Sequence, residues 1–206
     1  DIIVLAVKPQ DLPTAMSGIK GALTANQAVL SIVAGVKIAA ISSGLAHGAV
    51  IRVMPNTPAQ IGAAASVWTA TPEVSPERLA DARNLLQAIG EEVYVDSEKY
   101  VDMATGLSGS GPAYVFMFIE SLTDAGVHIG LPRDTAAKLA VQTVLGSAQL
   151  VKQTGRHPAE LRNMVTSPGG TTADGTLVLE GAGFRASVIA AVEAAYEKAI
   201  LLGEEE

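Results

Sequence analysis

The fold class that this 206-residue sequence predicts is an open α/β sheet followed by an all-helical domain. Two observations predict it. From Asp1 to about Asp96, short β-branched apolar runs alternate with helical segments, the signature of a parallel sheet with crossover helices. After Asp96 no convincing strand follows, and apolar residues recur at three- and four-residue spacing instead. With no internal repeat and no low-complexity linker, this change of period sets the domain boundary, giving an α/β domain over 1–97 and a helical domain over 98–206.

In the first half, Ile2–Val7, Ala28–Val33 and Ala49–Met54 read as buried strands, and Ala65–Thr69 and Glu92–Val95 are weaker candidates. Helices are expected between them. The clearest follows Ser75-Pro76-Glu77, where Ser caps, Pro suits the first turn and Glu favours the N-terminal dipole. It runs to about Ile89, and Gly90 ends it. In the second half, Val115, Phe118, Ile119, Leu122 and Ala125 form one apolar stripe, and Phe184, Val188, Val192, Ala195, Ala199 and Leu202 form another. The Ala-rich segment from about Asp134 to Gln153 is apolar on most of its circumference, as in a helix covered on several sides. Helices with side chains this small pack closely, which points to packing across subunits.

Composition narrows the function classes. Hydrophobic residues make up 49% and charged residues 17%, with a mean hydropathy of +0.33, so a membrane or a subunit interface must cover the excess. A membrane span needs roughly 18 uninterrupted apolar residues. Glu120 and Glu193 break the longest candidates, and no secretory signal pattern is visible, so the expectation is a cytoplasmic oligomer without a membrane partner. A net charge of −7 with no block of Lys or Arg argues against a nucleic-acid partner. Zero cysteines exclude disulfides and thiolate chemistry, and His47, His128 and His157 are too scattered to suggest a metal site.

A nucleotide-binding α/β domain opens with a strand and a Gly-rich turn whose amides meet a pyrophosphate. No GxGxxG occurs here, and Asp1 leads directly into Ile2–Val7. The expectation is an incomplete sheet whose first part, roughly 60 residues or two βαβ-sized portions, is missing, with weakened cofactor binding as the consequence.

Four stretches carry the chemistry. Ala6-Val7-Lys8-Pro9-Gln10 and Arg52-Val53-Met54-Pro55-Asn56-Thr57-Pro58-Ala59 each end a strand at its carboxyl edge, where open parallel sheets bind ligands. Leu107–Tyr114 places glycines before a long apolar helix; it lacks the Gly-Lys-Ser/Thr of a phosphate loop and reads as a tight helix–helix passage. Val165–Gly175 combines Pro168, Gly169 and Gly170 with Thr171 and Thr172, which can cap the next helix, and Thr171 with Asp174 resembles a capping box. Free amides at such a helix start suit a carboxylate. Read alone, each of these stretches also fits an ordinary strand-end loop or helix–helix turn.

Together, AVKPQ, SIVAGV (31–36), RVMPNTPA, TGLSGSGPAYVF (105–116), AGVHIGLP (125–132) and LRNMVTSPGGTTADGTLVLE (161–180) resemble the pyrroline-5-carboxylate reductase family in that family's order. The resemblance implies a Rossmann-type parallel sheet holding NADPH or NADH, followed by an all-α dimerisation domain that makes a homodimer or higher oligomer. It implies hydride reduction of L-1-pyrroline-5-carboxylate to L-proline, the final step of proline biosynthesis, resting mainly on the placement of two bound reactants. By the same resemblance Val7, Lys8 and Pro9 line the cofactor, and Ala34, Gly35, Asn56 and Thr57 pass near its nicotinamide and ribose, largely through backbone. Ser167 and the amides of Gly169, Gly170 and Thr171 would hold the substrate carboxylate, and Thr172 would meet the ring nitrogen. The competing expectations are an oligomerising fragment with impaired catalysis and a related oxidoreductase acting on another small imine or hydroxy acid.

Overall fold

The computed structural model describes residues 1–204. Its first part is a five-stranded sheet in the order β1 (Ile2–Leu5), β2 (Ala28–Ser31), β3 (Val50–Met54), β4 (Ala64–Ala70) and β5 (Gly90–Tyr94). Helices α1 (Leu12–Ile19) and α2 (Ile38–Leu45) cross from β1 to β2 and from β2 to β3, and both pairings are parallel. Helix α3 (Pro76–Gln87) crosses from β4 to β5, again in parallel.

The sheet is parallel in type, as the sequence pattern led us to expect, except that the pairing of β3 with β4 is antiparallel. The reason is the length of the connection. Only residues 55–63 separate the two strands, and a parallel return needs a crossover of about a dozen residues or more. A 3₁₀ turn over Thr57–Ile61 and left-handed Gly62 (φ 70°) reverse the chain instead.

The sheet is covered on both faces, which is why β2 and β3 are mostly apolar, with Ser31 and Arg52 as their buried polar residues. On one face Leu30, Ile51, Val53 and Trp68 pack with Ala82 and Leu86 of α3. On the other, Leu5, Val29 and Val50 pack with Leu12 of α1 and with Ile41 and Leu45 of α2. Trp68 is fully buried; its Nε1 donates to Glu92 Oε2 at 2.6 Å, and its ring meets Tyr94 edge-on at 4.8 Å. Ser75 caps α3 as expected, its Oγ accepting from the Arg78 amide. Gly90 (φ 151°) is required where β5 begins, because a Cβ there would stand 2.3 Å from the Ala64 backbone.

The rest is helical: α4 (Glu98–Ala104), α5 (Gly111–His128), α6 (Arg133–Thr154), α7 (Pro158–Met164), α8 (Thr171–Gly181) and α9 (Phe184–Glu204). A single π turn over Thr105–Gly109 joins α4 to α5, closed by the Ser110 amide donating to the Thr105 carbonyl at 2.9 Å. The chain forms two compact units, one of residues 1–112 with the segment from Ala191, the other of Ala113–Ala190. Within the second unit, Phe118 packs against Phe184, and Gly126 lets α5 approach Ala136 of α6. Of α6 only Ala136 and Ala140 are buried, whereas Leu139, Val141, Leu145 and Leu150 face outward.

Replacing Trp68 removes a large buried ring and one hydrogen bond to Glu92, which keeps its ion pair with Arg83, so Trp68→Ala is expected to destabilise the α/β unit by about 3–5 kcal/mol. Denaturant unfolding followed by circular dichroism tests this, and a loss below about 1 kcal/mol would contradict the packing described.

Candidate functional site

Parallel pairing brings three strand ends to one level. Leu5 is in register with Ser31, and Ser31 with Arg52, so the loops that follow β1, β2 and β3 leave the same edge of the sheet side by side. These loops carry Val7, Lys8 and Pro9, then Ala34 and Gly35, then Asn56 and Thr57. All seven residues assigned to the cofactor by resemblance therefore gather at the carboxyl edge of adjacent parallel strands, the place where open α/β sheets receive ligands.

The loops are held by local devices. After β1, the Asp11 amide donates to the Lys8 carbonyl and Pro9 opens a 3₁₀ turn, so Val7, Lys8 and Pro9 stay exposed. After β2, Ser31 Oγ accepts from the Val33 amide at 3.2 Å, and Gly35 turns left-handed (φ 83°). Gly35 is buried beside the end of α9, where an added Cβ would stand 3.2 Å from Leu202 Cβ. After β3, the amide side chain of Asn56 is fully engaged within the protein: Nδ2 donates to the Ser108 carbonyl at 3.0 Å, and Oδ1 accepts from the Ala65 amide at 2.9 Å. Asn56 thus clamps its own loop to β4 and to the π turn, its carbonyl accepts from the Ala59 amide, and Thr57 is exposed.

The π turn supports the clamp. Gly109 lies against Met54, where a Cβ would come within 2.8 Å of Cε, and Gly106 lies under α9, 2.7 Å from the Val192 carbonyl by the same construction. The passage expected from the glycines is therefore an i→i+5 turn, a form that recurs at functional sites.

A group that the sequence reading left without a role stands behind these loops. Arg52 is buried in β3; its Nη1 pairs with Glu98 at 2.7 Å and its Nη2 with Asp102 at 2.8 Å, both on α4. Lys37 also pairs with Asp102, and Glu98 accepts from the Ile38 amide at 2.7 Å, so a side chain 60 residues away caps α2. An Arg inside a buried strand was the available signal in the sequence.

In the other unit, Ser167-Pro168-Gly169-Gly170 forms a β-turn closed by the Gly170 amide on the Ser167 carbonyl at 3.0 Å. Proline at the second position and a positive φ at Gly169 (67°) define it as type II. Ser167 Oγ lies close over Gly170, where a Cβ would stand 2.4 Å from it and turn the hydroxyl away. The turn delivers the chain into α8 with Gly170 at the N-cap and no side-chain cap. The expected Thr171–Asp174 capping box does not form, because the extended Gly170 ends the turn and makes Thr171 the first helical residue. The Gly170 amide is consumed by the turn and is not a free donor, contrary to the expectation for the carboxylate seat. Among the described residues no acceptor meets the amides of Gly169, Thr171 or Thr172. At the far end of α8, Glu180 joins α8 to α7 through Arg162 and also pairs with Arg185; the Arg185 hydrogen bond holds its carboxyl below the ordinary carboxylate range.

A Rossmann-type α/β unit with three loops gathered at its carboxyl edge, together with a helical unit carrying an amide-rich turn, defines the class. Residues 98–202 match the family described as pyrroline-5-carboxylate reductase dimerisation. A pyrroline-5-carboxylate reductase of Synechocystis is 48% identical over 204 residues, covering 99% of this chain and 76% of the relative. The crystal structure of a Plasmodium falciparum pyrroline carboxylate reductase with NADP bound superposes with a TM-score of 0.91 at 37% identity, covering 98% of this chain and 77% of that one. A Coxiella burnetii pyrroline-5-carboxylate reductase gives 0.92 at 36% identity, with coverages of 98% and 75%. The chain belongs to the pyrroline-5-carboxylate reductase family, and it spans about three quarters of the length of these relatives.

Asn56→Ala removes both ends of the clamp and leaves the Ala65 amide and the Ser108 carbonyl without their partner. A loss of about 1–3 kcal/mol is expected, with faster hydrogen exchange at Ala65. Unaltered exchange at that amide would show that the clamp does not form in solution.

Proposed function

We propose that this chain reduces L-1-pyrroline-5-carboxylate to L-proline with NADPH or NADH, as the final step of proline biosynthesis in the cytoplasm. The observation that carries the reading is that a chain of this family holds, in one unit, a strand-end edge bearing Val7–Pro9, Ala34–Gly35 and Asn56–Thr57 and, in the other, a Ser167–Thr172 turn with free amides. The strand-end loops fit a dinucleotide because they offer backbone: Gly35 has no side chain, and Asn56 is turned inward. The nicotinamide supplies the hydride that adds to the C=N carbon, while the ring nitrogen takes a proton to complete the amine.

The protein's own part is binding and orientation. Ser167 Oγ and the amides of Gly169 and Thr171 receive the substrate carboxylate at the positive end of α8. Gly170 contributes by admitting Ser167 Oγ close to the turn, since its own amide is engaged. The hydroxyl of Thr172, in the first turn of α8, hydrogen-bonds the ring nitrogen. A threonine hydroxyl is too weak an acid to protonate the imine outright, so it orients the ring or relays a proton from water.

Self-association belongs to the same reading. Phe116 and Met117 of α5 and Leu177 and Val178 of α8 are 58%, 66%, 72% and 70% exposed in the single chain. Adjacent helical positions point about 100° apart, so more than one side of each helix needs covering, and a second copy of this dimerisation region does so. No single helix among the described residues is long and apolar enough to cross a membrane; α8 and α9 together have the length and composition but are bent by 48°.

NADPH oxidation that depends on pyrroline-5-carboxylate and yields proline tests the activity, and no turnover by the full chain would reject it. Thr172→Val keeps shape and removes the hydroxyl. It is expected to lower kcat and kcat/KM together, by about 2–4 kcal/mol of transition-state stabilisation, with NADPH affinity unchanged. A raised KM at constant kcat would reduce Thr172 to a binding residue.

Sedimentation should give a mass of at least twice the 21.1 kDa chain, and Leu177→Asp combined with Val178→Lys should lower it. A monomer before substitution would reject the interface.

A further inference from the structure

We infer that the cluster of Arg52, Glu98, Asp102 and Lys37 is a positioning device for the Ala34–Gly35 backbone, so that Lys37 and Arg52 govern cofactor affinity without touching the cofactor. The inference rests on the reading of Ala34 and Gly35 as cofactor-facing.

Lys37 lies two residues beyond Gly35, at the N-cap of α2. Its ammonium pairs with Asp102, and the next amide, of Ile38, donates to Glu98. Both acids occupy one face of α4, four residues apart, and the buried guanidinium of Arg52 holds their carboxylates side by side. The loop's exit is therefore pinned to two carboxylates whose spacing is fixed by a bidentate cation inside the sheet. At its entry, Ser31 Oγ holds the Val33 amide. Along its flank runs α9: a Cβ on Gly203 would lie 2.8 Å from the Gly35 carbonyl and 3.0 Å from Lys37 Cε, so only a glycine admits this approach. Entry, exit and flank are all restrained, while Ala34 is exposed.

The four charges sum to zero, which is how a buried arginine is tolerated. Their removal is not equivalent. Arg52 is enclosed, and deleting it leaves two carboxylates facing each other at the sheet. The Lys37 side chain is about one-third exposed, and without it Asp102 still pairs with Arg52. Loss of Lys37 thus removes one of the two pins at the loop's exit, the one to Asp102, while the Ile38 amide stays on Glu98 and the cluster that joins α4 to β3 survives.

The test is Lys37→Met in the full chain, with NADPH titrated by nicotinamide fluorescence and turnover measured against both reactants. The dissociation constant and KM for NADPH are expected to rise about five- to thirtyfold, the range of a contact contributing one or two kcal/mol. The kcat at saturating NADPH and the KM for pyrroline-5-carboxylate should change less than about threefold, with an unaltered unfolding midpoint, and Lys37→Arg should recover most of the affinity. Asp102→Asn should weaken NADPH in the same direction. Hydrogen exchange separates the two layers of the argument. Protection of the Val33–Val36 amides by NADPH in the unsubstituted chain is expected, and its absence overturns the placement of the cofactor on this loop. Protection together with unchanged NADPH affinity in folded Lys37→Met overturns the positioning role alone.

Discussion

A guanidinium enclosed in the third strand joins the sheet to the first helix after it. Arg52 sits where an apolar side chain would ordinarily go, and burying its charge is tolerable only because Glu98 and Asp102 arrive on α4 to meet both of its terminal nitrogens. The position of α4 is thereby constrained, and with it the π turn that α4 runs into. That turn presents the Ser108 carbonyl to Asn56 and lays Gly109 against Met54, so the loop after β3 takes its shape from the same chain of contacts. Lys37 and the Ile38 amide extend the constraint to the loop after β2. Two of the three loops at the carboxyl edge thus depend on one buried charge and its partners.

The two candidate binding regions are built on different physical logic. Of the strand-end loops, the one after β1 is held by its own residues, whereas those after β2 and β3 are also held by residues distant in sequence. The Ser167–Gly170 turn is shaped by its own residues: a proline that presets the second position, a glycine that takes the left-handed third, and a glycine with no Cβ to obstruct Ser167 Oγ. Free amides at the start of α8 follow from helix geometry, because the first N–H groups of any helix lack an intrahelical acceptor. A mutation remote in sequence can therefore distort the first region, whereas the second tolerates distant change and is sensitive to local change.

The helical unit has a different balance of burial. Its helices are long, yet inside one chain they bury little beyond Thr123, Ala136 and Ala140. Small side chains allow close approach where Gly126 meets Ala136, but they cannot cover the outward Leu, Val and Phe residues of α5, α6 and α8. Hydrophobic area left this open is stabilised only when another surface removes it from water, in keeping with the dimerisation family to which residues 98–202 belong.

The sequence by itself determined the elements and the turn. Local periodicity located all five strands and the switch to helices after Asp96, Ser75-Pro76 announced the start of α3, and the motifs, in their order, were enough to point to the family. These features depend on residues within a few positions of one another, which a linear reading sees. What only the tertiary structure decided is which distant groups meet. The direction of β4 followed from the short reversal after β3, the inward commitment of both ends of the Asn56 amide from the π turn and β4, and the capping of α2 from a glutamate 60 residues away. The expected capping box failed for a related reason: a favourable local pattern at Thr171 and Asp174 was displaced when the preceding turn set Gly170 as the helix boundary. Period assigns a side chain to a face; only the packed chain assigns it a partner.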